Sequence, residues 1–210
     1  MSIVNALNWR YAARKLNGQK VPQEKLDSIL EAVRLAPTAY GLQPFKVIVV
    51  DDLETRKRIL PAINNQAQVV GGSTLLVFAV LSDINESTVS DYMENIAHTR
   101  DIPLESLDGF RKGILDYIKN QSKEQVKNWA AKQAYIGLGT AIAAASLVEV
   151  DTSPMEGFNP LALDKALGLE EQGLSAVVLL MLGYRQGDDP AAKFKKVRKS
   201  TQDFILTIKD

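Results

Sequence analysis

The chain has 210 residues, 25 acidic and 25 basic side chains, one histidine and no cysteine. That length holds one generous domain or two small ones and buries a core without staples. Disulfides, thiolate nucleophiles and cysteine metal centres are excluded, and a formal charge of zero gives no electrostatic reason to expect nucleic acid or an anionic membrane as a partner.

In chain order, residues 2–9 form a short helix broken at "RYAARK". This N-terminus lacks an apolar stretch bounded by a small-residue cleavage site, so a signal peptide is not expected. Residues 22–36 form a helix, with Pro22 in the first turn, Leu26, Ile29, Leu30 and Val33 on one face, and Pro37 as the stop. "APTAYGLQP" reads as a loop and "FKVIVV" as a strand. A short helix near 52–62, the loop "NNQAQVVGGS" and a second strand, "TLLVFAVL", follow. Helical spacing returns at 86–100 and at 104–120. Ser122 and Gln125 form a capping box that opens a long helix to about residue 148. Its apolar run, "AYIGLGTAIAAASLV", is short of the roughly 20 residues a membrane-spanning helix needs. "DTSPMEGF" reads as a turn, unless its glycine serves a close backbone approach to a ligand. Asn159, Pro160 and Gly168 cap, open and stop another helix. "LSAVVLLMLGY" is a buried strand, "KFKKVRKS" a basic loop, and "DFILTIK" a last strand-like segment. Strands separated by long helical insertions, without regular alternation, indicate an α+β fold.

Little here points to hydrolysis or metal catalysis. His98 is the only histidine, on a helix, with no nucleophile brought to it by sequence, so an ordinary surface or packing role is expected. "GLGT" at 137–140 lies inside a helix and follows no strand, so it is no dinucleotide fingerprint. Loops carry scattered cations and amides instead: Arg10 and Arg14, the cluster Asn65, Gln66 and Gln68, and Lys193, Lys195, Lys196, Arg198 and Lys199. Each alone reads as solvated surface. Together they could clamp a phosphate and pair with a polar heterocycle.

These pieces resemble the FMN-dependent nitroreductases, the oxygen-insensitive NAD(P)H nitroreductase and dihydropteridine reductase-like family. The matching stretches are "RYAAR" (10–14), "APTAYGLQPF" (36–45), "NNQAQVVGGSTLLVF" (64–78), "WAAKQAYIGLG" (129–139), "SPMEGF" (153–158) and "KKVRK" (195–199), in the family's order from end to end. The resemblance implies a single FMN-binding domain over 1–210 with a central, mainly antiparallel sheet flanked by helices. It also implies a homodimer whose C-terminal strand, residues 203–208, crosses to the partner; the cytoplasmic location expected for the chain comes instead from the lack of a signal-peptide pattern and of a run long enough to span a membrane. FMN is the implied cofactor, NADH or NADPH the reductant, and nitroaromatics, quinones or free flavins the acceptors. Hydride would pass through flavin N5 in ping-pong fashion, with no side chain required as nucleophile or acid.

Roles carry over by position. Arg10, Lys196 and Arg198 match the groups that hold the FMN phosphate. Tyr11 and Ala12 match backbone neighbours of the flavin, and Arg14 a cation near its N1 and O2 edge that steadies the charge of the reduced ring. Thr38, Ala39 and Gly41 match a loop lining the ring from the partner subunit. Asn65 matches an amide on the pyrimidine, and Gln68 a position that carries lysine in some members. Pro154, Met155, Glu156 and Gly157 match the segment along the ring, with a backbone N–H directed at N5. Ala12 replaces a frequent serine, and Glu149 stands where glycine is frequent. Another reaction on the same flavin fold, such as dehalogenation or flavin consumption, and a non-catalytic flavin-binding dimer are the alternatives. Nucleic-acid binding through the five cations of "KFKKVRKS" is disfavoured by the zero net charge and the lack of aromatic platforms.

Overall fold

The computed structural model describes residues 1–208. Four strands form one sheet in the order β1-β2-β4-β3, every neighbouring pair antiparallel: β1 (Phe45–Val50), β2 (Thr74–Leu81), β3 (Asp151–Met155) and β4 (Leu174–Gly183). The helices are α1 (Ile3–Trp9), α2 (Gln23–Arg34), α3 (Leu53–Ile59), α4 (Gln68–Gly71), α5 (Glu86–Arg100), α6 (Asp108–Lys119), α7 (Lys123–Leu147), α8 (Pro160–Leu167) and α9 (Thr201–Phe204). The α+β expectation holds.

β2 and β4 read as unbroken apolar runs because both of their faces are covered. Leu76, Phe78, Val80, Val178, Leu180 and Leu182 enter a core with α2, α5 and α7, while Leu75, Val77, Ala79, Leu179 and Met181 enter a second core with Ile59, Ile63 and Leu163. Between Phe78 and Ala79 the register with β4 slips by one residue. Val177 and Val178 then both face the first core, as a β-bulge requires.

Local signals set most boundaries. In α7, Gln125 N donates to Ser122 Oγ at 3.2 Å and Ser122 N to Gln125 Oε1 at 2.7 Å, which closes the capping box. That helix ends in a Schellman turn: Val150 N donates to Ala145 O and Glu149 N to Ser146 O, with Glu149 left-handed at φ 57°. The position favours glycine, and this chain carries a glutamate in the strained conformation.

Two expectations are corrected. The stretch 64–73 is not all loop, since it contains α4. Residues 151–155 are a strand rather than a turn; Pro154 is tolerated because β3 lies at the sheet edge, where no partner needs its missing N–H. In the tail, α9 covers Thr201–Phe204, and residues 205–208 are extended from it without pairing to the described residues of the same chain.

Candidate functional site

α1 stops at Trp9, and Arg10 takes an extended backbone. It lines a cavity of about 400 Å³ whose other walls include Trp9, Tyr11, Ala12, Lys196 and Arg198. Lys196 Nζ donates to the Arg10 carbonyl, which ties the basic C-terminal loop to the N-terminal segment. Burial, and then the proximity of Arg198, lower the pKa of Arg10; Asp151 partly opposes this. Lys196 is lowered by burial and by Arg10 and Arg198. Arg10 Nε and Nη2 are buried without a hydrogen-bond partner. The buried, unpaired donors of Arg10, with two further cations close by, cost free energy unless an anion completes them. A phosphate monoester fits that donor set in charge and geometry.

A second group of predicted residues meets at the end of β3. Gly157 O accepts from Asn64 Nδ2 at 2.8 Å and from Gln66 Nε2 at 2.9 Å. Gln68 is buried and donates to Gln66 Oε1 and, at 3.3 Å, to Met155 Sδ. Asn64 and Asn65 are both left-handed, at φ 50° and 52°, a conformation that asparagine tolerates better than most residues. From the other side, Tyr135 on α7 donates its hydroxyl to Glu156 Oε1 at 2.7 Å. Burial and then this carboxylate push the phenol up to about 12, so it remains a donor at neutral pH. Phe158 N donates to Glu156 O, while the backbone N–H groups of Glu156 and Gly157 have no partner among the described residues. A Cβ at Gly157 would make only ordinary contacts, at 3.8 Å and beyond, so nothing within the chain itself demands glycine there.

The two groups are joined through β3. Ala13 N donates to Thr152 O at 3.2 Å, and Ala12 bridges Thr152 in parallel. The cation cavity and the Met155–Gly157 segment therefore flank one edge strand.

Thr38, Ala39 and Gly41 are anchored elsewhere. Ala39 N donates to Gln133 Oε1 of α7 at 2.8 Å, and Tyr92 of α5 donates its hydroxyl to Tyr40 O at 2.8 Å. Gly41 has φ 74°, and a Cβ there would overlap the Tyr92 hydroxyl, so glycine is required twice over. The Tyr40 ring meets Phe110 and Tyr117 edge-on. Arg14 is exposed and in no salt bridge among the described residues, and His98 is exposed in the last turn of α5.

Asn64, Tyr135 and Gln133 escaped the sequence reading of the site, and Gln66 was seen only as part of an amide cluster. All four lie in stretches that match the family, Asn64 and Gln66 in "NNQAQVVGGSTLLVF" and Gln133 and Tyr135 in "WAAKQAYIGLG", but their partners are far away in sequence, so no local signal gave them a role.

Comparison with known proteins decides the family. The model of the nitroreductase family matches residues 7–184. The chain belongs to the nitroreductase family. A provisionally named NAD(P)H nitroreductase of Staphylococcus saprophyticus is 28% identical over 97% of this chain and 95% of its own. A similarly named protein of Staphylococcus aureus is 29% identical over 97% and 94%. Among solved structures, a Bacillus subtilis protein described provisionally as a nitroreductase superposes with a TM-score of 0.86 at 22% identity, over 98% of both chains. A structure from Exiguobacterium sibiricum, described provisionally as a nitroreductase and in complex with FMN, superposes with a TM-score of 0.84 at 21% identity, over 99% and 98%. The nitroreductase-like fold is thereby shown. Lys196 and Arg198 lie beyond the residues that the family model matches.

Proposed function

We propose that this nitroreductase-family chain is a cytoplasmic, homodimeric FMN enzyme. It takes hydride from NADH or NADPH and delivers it to nitroaromatic, quinone or free flavin acceptors in ping-pong fashion. The observation that carries this reading is the pair of orphaned Arg10 donors in a cavity shared with Lys196 and Arg198. FMN, when bound, supplies the redox chemistry through N5 of its ring.

The protein's part is binding and orientation. Arg10, Lys196 and Arg198 hold the phosphate, with Tyr11 and Ala12 beside it. The free N–H groups at Glu156 and Gly157 meet the N5 edge, presented by Pro154 and Met155 of the rigid strand end. Asn65 and Gln68 face the pyrimidine, and Arg14 supplies positive charge near N1 and O2. One domain spans 1–210.

Exposed apolar side chains support a second subunit. Ile3, Val4 and Leu7 on α1 and Tyr135, Ile136 and Leu147 on α7 are open to solvent. α1 and α7 pack together, so these side chains lie on neighbouring helices. In the tail, Phe204, Leu206 and Ile208 are 78, 88 and 88% exposed. A partner would cover them, receive the C-terminal segment, and contribute its own Thr38, Ala39 and Gly41 to the ring site.

The test is direct. Purified protein should be yellow, release FMN on denaturation, and oxidise NADH or NADPH rapidly with menadione or a nitrofuran. A colourless protein that takes up no added FMN would overturn the reading. FMN binding without turnover would leave a flavin-binding dimer.

A further inference from the structure

We propose that Arg185 is a positioning residue for the phosphate subsite, one that keeps Arg10 free to bind an anion by occupying Asp151. The inference rests on the FMN reading above and concerns a residue outside the cation cavity itself.

Arg185 leaves the end of β4 where the N-terminal segment runs alongside: Asn17 N donates to Tyr184 O and Gln186 N to Lys15 O. Its guanidinium makes a forked pair with the buried Asp151. Nε lies 2.9 Å from Oδ2 and Nη2 2.6 Å from Oδ1, while the backbone N–H of Arg185 adds a bond to Oδ2 at 2.8 Å. The same guanidinium lies over two rings, 4.3 Å from the Trp9 centroid and 4.6 Å from the Tyr11 centroid. Those are the two neighbours of Arg10. Stacking on both fixes the backbone from which Arg10 departs, and planarity makes arginine suited to stacking and to the carboxylate fork at once.

Tyr11 extends the chain of contacts. Its hydroxyl donates to Asp189 Oδ2 at 2.9 Å, and Asp189 Oδ1 accepts from Ala191 N at the start of the turn Pro190–Lys193. That turn leads into Lys196 and Arg198. One linked series, Asp151–Arg185–Tyr11–Asp189, therefore ties the edge strand, the N-terminal segment and the basic loop together.

Charge supplies the second half of the argument. Asp151 is close enough to Arg10 to favour its charged form. A buried carboxylate without a partner is costly and would compete for the nearest guanidinium. With Arg185 in place Asp151 is satisfied, and Arg10 Nε and Nη2 stay unpaired. Without it, Asp151 draws on Arg10, whose charged form it already favours, and the phosphate loses its best-buried donor.

The experiment is a flavin titration of the full-length chain with FMN and with riboflavin, which lacks the phosphate. The wild-type chain should prefer FMN. R185M should lose at least about tenfold of that preference, as expected when a charge-assisted contact to phosphate is removed, while its riboflavin affinity changes little. Adding D151N to R185M should restore part of the preference, because the competing carboxylate is gone; a purely structural role for Arg185 predicts no such rescue. An unchanged FMN-to-riboflavin ratio in R185M, or equal losses for both flavins, would overturn the proposal. Should R185M not fold, R185Q decides, since it keeps a hydrogen-bond donor for Asp151 but removes the charge: a reduced preference supports the proposal and an undiminished one overturns it. A wild-type chain that binds both flavins equally would instead bring down the phosphate assignment beneath it, and this inference with it.

Discussion

Asn64 Nδ2 donates to the carbonyl of Gly157 at 2.8 Å across 93 residues of sequence, and Gln66 Nε2 donates to the same oxygen at 2.9 Å. Two donors on one carbonyl fix the plane of the peptide that follows Gly157, on the opposite side of the residue from its free N–H. The site is exposed, so removing both amides should cost only about 1 kcal/mol of folding stability. In the N64A/Q66A double variant we expect FMN and riboflavin to lose affinity together, by several-fold, because the clamp acts on the segment along the ring and not on the phosphate. Parallel titrations check this; a loss confined to FMN would count against it.

Arg198 touches the proposed site only through its charge in the cation cavity. Arg198→Ala should weaken FMN by roughly tenfold or more, the scale of a charge-assisted phosphate contact, and leave riboflavin almost unchanged. Equal losses for the two ligands in the same assay would remove Arg198 from the phosphate subsite.

Lys196 predicts a pH dependence. Burial and its two arginine neighbours hold its pKa below the ordinary 10.5. A bound phosphate favours the ammonium form, so binding raises that pKa and takes up a proton. FMN affinity should therefore be full below the lowered pKa of the free protein and fall as pH rises through it. Riboflavin should show no such decline. Isothermal titration in buffers of different ionisation enthalpy would detect the proton uptake, and its absence would refute the coupling.

Glu149 occupies the left-handed position of the turn that ends α7. A non-glycine residue there carries a steric penalty of roughly 1–2 kcal/mol, partly offset by the greater freedom of glycine in the unfolded chain. Glu149→Gly should raise stability by about 1 kcal/mol, read as a higher midpoint in urea with unchanged slope. A lower midpoint would mean that the carboxylate makes a contact in the assembled protein.

The tail offers the clearest test of assembly. Phe204, Ile205, Leu206 and Ile208 are exposed and follow directly on the loop that carries Lys196 and Arg198. Deleting the residues from 201 onward should weaken the dimer and release FMN together. Sedimentation and absorbance on dilution measure both, and a truncated protein that stays dimeric and yellow would show that the segment serves neither.

Much of the architecture is decided locally and is visible in the residues alone. The caps of α7 and α8 and the apolar runs of β1, β2 and β4 depend on neighbours in sequence, and so appear in it. The phosphate-binding trio is visible by a different route, since Arg10, Lys196 and Arg198 are assigned by resemblance and not by any spacing between them. β3 is not visible. Its five residues include Asp151, Thr152, Ser153 and Pro154, a composition that signals a turn, and only a place at the sheet edge beside β4 makes them a strand. The clamp on Gly157 and the fork between Arg185 and Asp151 join residues 93 and 34 positions apart. No local propensity encodes such meetings. They exist because the sheet order sets β3 beside β4 and the bridge at Thr152 brings the N-terminal segment to its other side, and burial then leaves Asp151 to find a partner and Arg10 to wait for a ligand.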